Sequence, residues 1–114
     1  MTFNEIVAEV KKYFSGKKAV GNKKHFVAEV EITDGGSGVF YIEFNGEDIN
    51  VEAKSYPKKD LRLITDIDTF IKVAIEETLP PMDAINKGLL KLERGMLLDG
   101  PKALKFANIL GTVK

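Results

Sequence analysis

The side chains able to do chemistry are few and scattered. His25 is the only histidine. It stands at the head of an alternating segment, where a lone imidazole reads as structural or exposed rather than as a base or ligand. Ser15, Ser37 and Ser55 fall near turns or loops, and none lies in a Gly-x-Ser-x-Gly elbow. Asp66 and Asp68 resemble an acid pair, but they precede an apolar helical pattern, and helix capping explains them better. Gly35-Gly36-Ser37-Gly38 lacks the lysine and fixed spacing of a phosphate loop and reads as a hairpin turn. There is no cysteine, which excludes disulfides, thiolate metal sites and a thiol nucleophile. No His/Asp/Glu cluster has metal-ligand spacing. These residues predict a protein that is not an enzyme, with no cofactor and no metal.

The remaining charged feature is lysine in pairs: Lys11-Lys12, Lys17-Lys18, Lys23-Lys24 and Lys58-Lys59. Residues 1–24 hold six lysines against two glutamates, yet basic and acidic residues balance at 17 each over the chain. A neutral chain argues against nucleic-acid binding. The pairs read either as a solvated surface or as a patch for anionic lipid head groups or acyl-CoA phosphates, and so as a transient contact with an anionic membrane surface.

The elements that would position these groups are legible in the apolar periodicity. Phe3, Ile6, Val7, Val10 and Phe14 recur at helical spacing over residues 2–15, with Thr2 and Glu5 set as a capping box and Gly16 as a stop. Phe26, Ala28, Val30 and Ile32 alternate with Val27, Glu29, Glu31 and Thr33 in a first strand. Phe40, Ile42 and Phe44 mark a second, Ile49, Val51 and Ala53 a third, and Leu61, Leu63 and Thr65 a fourth. Each strand has one apolar and one largely charged face, which predicts an antiparallel sheet covered on one side and wet on the other. Ile67, Phe70, Ile71, Ala74 and Ile75 then fit a helix capped near Asp66 or Asp68 and ended by Pro80-Pro81. Pro81 opens a short helix through Ile85, Leu90 and Leu92 mark a fifth strand, and Asp99-Gly100-Pro101 enters a last helix carrying Ala103, Phe106, Ala107 and Leu110 on one face. The expectation is one α+β domain over residues 1–114, in the order α-β-β-β-β-α-α-β-α, with 44% hydrophobic residues to fill its core. No apolar run approaches a membrane span and the first residues do not form a signal peptide, so a cytoplasmic location is expected.

Residues 60–110 read DLRLITDIDTFIKVAIEETLPPMDAINKGLLKLERGMLLDGPKALKFANIL. A polar-apolar strand, a helix opening near Asp68, a break at Pro81, Ala84, and a Lys-Gly-apolar-x-apolar-x-x-Gly strand from Gly88 through Leu90 and Leu92 to Gly95 follow in turn. With Phe70, Ala74, Leu79, Leu104 and Leu110, this half of the chain resembles the C-terminal half of the sterol carrier protein type 2 domain. It departs at Met96, where that family often has Asp, and in the inserted Asp99-Gly100-Pro101.

The resemblance implies a five-stranded, largely antiparallel sheet with helices over one face. It also implies non-catalytic binding and transfer of fatty acid, fatty acyl-CoA, sterol or phospholipid in an apolar tunnel between sheet and helices. On that reading Phe40, Ile42 and Phe44 line the sheet side, and Phe70, Ile71, Ala74, Ile75, Met82, Ile85 and Phe106 the helical side. Leu90, Leu92, Met96 and Leu110 complete the lining. The alternative is a packed, ligand-free core serving as a protein–protein interaction module or an accessory to a lipid-metabolising enzyme. Composition leaves monomer and dimer equally open.

Overall fold

The computed structural model describes residues 1–92 and 99–114. Helix α1 (Phe3–Phe14) opens with the expected capping box: Thr2 Oγ1 accepts from the Glu5 N–H and the Thr2 N–H donates to Glu5 Oε1. Strands β1 (His25–Ile32), β2 (Gly38–Asn45), β3 (Asp48–Glu52) and β4 (Leu61–Thr65) follow. A short helix α2 (Ile67–Phe70) runs directly into a π-helical turn at Ile71–Ile75. Helix α3 (Pro81–Asn86), strand β5 (Leu90–Leu92) and helix α4 (Asp99–Leu110) complete the chain. Of the two candidate caps, Asp66 is the one used: its Oδ1 accepts from the Thr69 N–H at 2.7 Å.

The sheet order is β3-β2-β1-β4-β5. Three neighbouring pairs are antiparallel and β1 with β4 is parallel. One face carries the core. Phe26, Ala28, Val30, Ile32, Phe40, Ile42, Phe44, Leu61 and Leu63 on it pack against Ile6, Val7, Val10 and Phe14 of α1, Phe70 of α2, Ala84 of α3 and Phe106 of α4. The apolar face of α1 is therefore spent on the sheet. Gly35, in the β1–β2 turn, has φ +64° and accepts from the Phe3 N–H at 2.7 Å. A Cβ there would meet the Met1 carbonyl oxygen at 2.6 Å, so the start of α1 docks on a position only glycine can fill.

The opposite face is wet only in part, which corrects the expectation of a solvated side. The chain leaves β3 at the sheet edge and must pass β2 and β1 to reach β4. Residues 53–60 make that crossing over the outer face, and Val27, Glu29 and Tyr41 are buried beneath or beside them. Glu29 has 0% exposure, and its carboxylate is fully engaged. Oε2 accepts from Ser55 Oγ at 3.1 Å and the Tyr56 N–H at 3.0 Å, with Lys59 Nζ 3.7 Å away. Arg62 Nη1 donates to Oε1, and its Nη2 donates to Glu31 at 2.5 Å. A buried carboxylate survives only when paired and hydrogen-bonded in this way.

Beside this cluster, His25 Nε2 donates to Glu43 Oε2 at 2.7 Å and the Tyr56 hydroxyl donates to the same oxygen at 3.2 Å. The His25 hydrogen bond, more than any other contact, holds the Glu43 carboxyl below its ordinary value of 4.5. A carboxylate depressed in the folded state contributes stability above its unfolded value and loses it as pH falls through the folded one. Stability is thus expected to fall on acidification below pH 4.5, with a shallower fall in Glu43→Gln. Urea unfolding of both proteins above and below that pH measures the difference; identical pH slopes would remove Glu43 from the account.

Candidate functional site

The second half of the chain builds the candidate site. The Asp66 cap fixes the start of α2, and Pro81 at the first position of α3 supplies a ring whose missing N–H would have been unpaired there anyway. Between them the π turn widens the helix: the Glu76 N–H donates to the Ile71 carbonyl at 2.8 Å and the Thr78 N–H to that of Lys72 at 2.9 Å. Glu77 follows at φ +55°, an uncommon conformation for a side chain of its length. Helix α4 lies against β4 and α3.

These elements enclose a small cavity against the inner face of the sheet. It is lined by Leu63, Phe70, Val73, Ala74, Pro81, Leu90, Ala103, Phe106 and Leu110. Each contributes carbon atoms only, so nothing in the lining demands a polar partner. The aromatic rings are fixed by one another. Phe70 meets Phe40 edge-on at 5.4 Å between centroids, and Phe106 stacks on Phe26 at 6.2 Å and leans on Phe44 at 6.1 Å. The cavity volume is about 20 Å³, close to the space of a single water molecule. A site for a drug-sized ligand needs roughly 300–1,000 Å³.

Of the residues expected to line a tunnel, Phe70, Ala74, Leu90, Phe106 and Leu110 meet at this cavity. Phe40, Ile42 and Phe44 are fully buried in the neighbouring core and do not line it. Ile71, Ile75, Ile85 and Leu92 are half-buried and pack against that core. Met82 points outward at 43% exposure. Met96 lies outside the described residues. The sequence reading omitted Leu63, Val73, Pro81 and Ala103 from the lining. Leu63 and Ala103 carried a usable signal, since both fall on the apolar face of their element. Val73 carried one too: it stands three residues from Phe70, a spacing that shares a helix face, and it lies within the π turn.

The SCP-2 sterol transfer family model matches residues 3–110. The chain belongs to this family. The match carries the resemblance in residues 60–110 to nearly the whole chain, and the family is in general one of lipid binding and transfer. Solved structures agree on the fold. The palmitated SCP2L2 of Aedes aegypti superposes with TM-score 0.64 at 18% identity, covering 96% of this chain and 95% of that one. The apo sterol carrier protein 2 of Yarrowia lipolytica gives 0.56 at 19% identity, with 95% and 75% covered. A UbiJ-SCP2 ubiquinone synthesis protein gives 0.64 at 15% identity, with 95% and 91% covered. No curated protein matches the chain. The SCP-2 fold here is the expected α+β arrangement of five largely antiparallel strands with helices on one face, and the parallel pairing of β1 with β4 is the feature the expectation did not contain. Among the described residues no helix is long and apolar enough to cross a membrane.

Proposed function

We propose that this SCP-2 domain sequesters the acyl chain of a fatty acid or another long-chain lipid by widening the cavity between β4, β5, the π turn, α3 and α4. The observation that carries this reading is the all-carbon lining at Leu63, Phe70, Ala74, Leu90, Phe106 and Leu110. A similar fold occurs in a palmitated protein, which supports an acyl chain as the ligand class. The energetics permit an opening step. Burying a sixteen-carbon chain is worth on the order of 12 kcal/mol gross, at about 0.8 kcal/mol per methylene. Each ~1.4 kcal/mol spent on opening weakens the apparent affinity only tenfold. The opening this requires would fall on a short element: α3 spans six residues and follows the Glu77–Pro80 connection. Transfer needs no catalytic group.

The membrane contact falls at the rim of this cavity rather than at α1, whose apolar face is buried. Met82 and Leu104 are 43% and 52% exposed, and each directly follows a lining residue, Pro81 or Ala103. Lys87, Lys102 and Lys105 lie on the same two helices or their ends. Palmitate in solution should raise the unfolding temperature of the protein, since a ligand at 100 times its Kd adds about 2.7 kcal/mol. Leu104→Asp should keep that shift and slow transfer from anionic vesicles at least tenfold. Absence of any palmitate shift in the parent protein would refute lipid binding. A normal transfer rate in Leu104→Asp would refute the rim as the membrane contact.

A further inference from the structure

The apolar cavity accounts for the tail of a lipid and leaves its polar end without a place. The lining offers carbon atoms only, so a carboxylate drawn into it would be desolvated with no partner. A fatty acid held there must bring its head group out to a cation at the wall. The cations of the chain differ in what already engages them. Lys72, in the π turn, is bonded to Asp68 at 2.9 Å. Lys59 and Arg62 lie on the opposite face of the sheet and are engaged by Glu29. Lys87 and Lys102, at the ends of α3 and α4, are exposed to solvent.

Lys105 is placed differently. It is half-buried on α4, between Ala103 and Phe106, both of which line the cavity. Its Nζ stands 5.4 Å from the centroid of the Phe26 ring. Phe26 is only 1% exposed and stacks on Phe106, so the ammonium lies against the core, one ring away from the cavity wall. Among the described residues Lys105 forms no ion pair with any carboxylate. Asp60, at the same end of β1, spends its carboxylate on the Val27 N–H at 2.9 Å. An aromatic face attracts the ammonium but takes up none of its hydrogen bonds to oxygen, so Lys105 keeps its donors for water or for an anion. A hydrogen bond between ionised partners is about twice as strong as a neutral one, which favours the anion.

We infer that Lys105 binds the carboxylate of a fatty acid whose chain occupies the apolar cavity, and so selects a free acid over an uncharged lipid of the same length. The anchor presupposes that the cavity takes up lipid, as proposed, and adds the place where the head group leaves it: beside α4 and the head of β1. Displacing the Phe106 ring joins the cavity to the Lys105 ammonium, so the movement that admits the chain also exposes its anchor. The test is equilibrium dialysis of labelled palmitate and labelled hexadecanol against the full chain, in buffer without vesicles. The parent should bind palmitate more tightly than hexadecanol. Lys105→Met keeps a long apolar stem over the core and removes the charge. It should weaken palmitate binding at least tenfold and leave hexadecanol binding unchanged. Lys105→Arg should retain palmitate binding. Lys102→Met, which removes an exposed charge from the same helix, should affect neither ligand. Equal palmitate affinity in Lys105→Met, a parallel loss of palmitate and hexadecanol, or an equal loss in Lys102→Met would each overturn the anchor while lipid uptake stands. A parent protein that binds neither ligand would overturn the lipid-binding reading itself, and the anchor with it.

Discussion

Phe106→Ala is expected to cost about 3–5 kcal/mol of stability in the unliganded protein, the range for deleting a buried aromatic ring, and yet to preserve palmitate uptake. The ring is buried, stacks on Phe26, leans on Phe44 and forms part of the cavity wall. Removing it enlarges the space that an acyl chain must otherwise open for itself. In a core that only packs, the enlarged void is a pure loss. In a lipid site, ligand fills it, so the palmitate-induced rise in unfolding temperature should be larger in the variant than in the parent. Calorimetry of both proteins with and without palmitate measures the two quantities together. An equal loss of stability with and without ligand would mean that Phe106 holds the fold and takes no part in binding.

Arg62→Met is expected to destabilise the protein by about 3–5 kcal/mol, because it strands one partner of a buried ion pair. Glu29 is completely buried, and Arg62 bridges it to Glu31, Nη1 donating to the one and Nη2 to the other. Lys59 remains at 3.7 Å and compensates only in part. Pairing the change with Glu29→Leu should recover much of the loss, since an apolar pair of similar volume avoids the desolvation of both charges. Denaturant midpoints for the two single variants and the double variant close the cycle. A single-variant loss below about 1 kcal/mol would place this cluster with ordinary surface ion pairs. Palmitate uptake should survive in the folded fraction, since Glu29 and Arg62 lie on the opposite face of the sheet from the cavity.

The elements of this fold were legible because each follows a simple period. The Thr2–Glu5 box, the alternation through Phe26–Ile32 and Phe40–Phe44, and the Pro81 start of α3 all appear where their patterns place them. Two features were not legible, for different physical reasons. The parallel pairing of β1 with β4 leaves no mark, since a strand with one covered face alternates in the same way whichever direction its neighbour runs. Glu29 alternates like a solvent-facing residue, and only the path of residues 53–60 buries it. Val73, three residues from Phe70, lay within reach of the helical period and was left out of the lining all the same.

The candidate site was half legible. Phe70, Ala74, Leu90, Phe106 and Leu110 were selected as apolar residues on core-facing elements, and the elements that carry them converge. The same criterion swept in Phe40, Ile42 and Phe44, because a core side chain and a cavity-lining one differ only in what lies beyond them. That difference also changes the mutational strategy. Phe44 is fully buried, so Phe44→Asp would unfold the protein before it reported on binding. Phe106→Ala and Leu104→Asp separate the two effects.

The central claim is that a cavity of about 20 Å³ opens to hold an acyl chain. Native mass spectrometry of the purified protein, before and after incubation with palmitate and palmitoyl-CoA, tests it most directly. A stoichiometric adduct of lipid mass, retained from the expression host or acquired on incubation, is the predicted result. A bare polypeptide mass under every condition would contradict the account and mark the interior as a packed core.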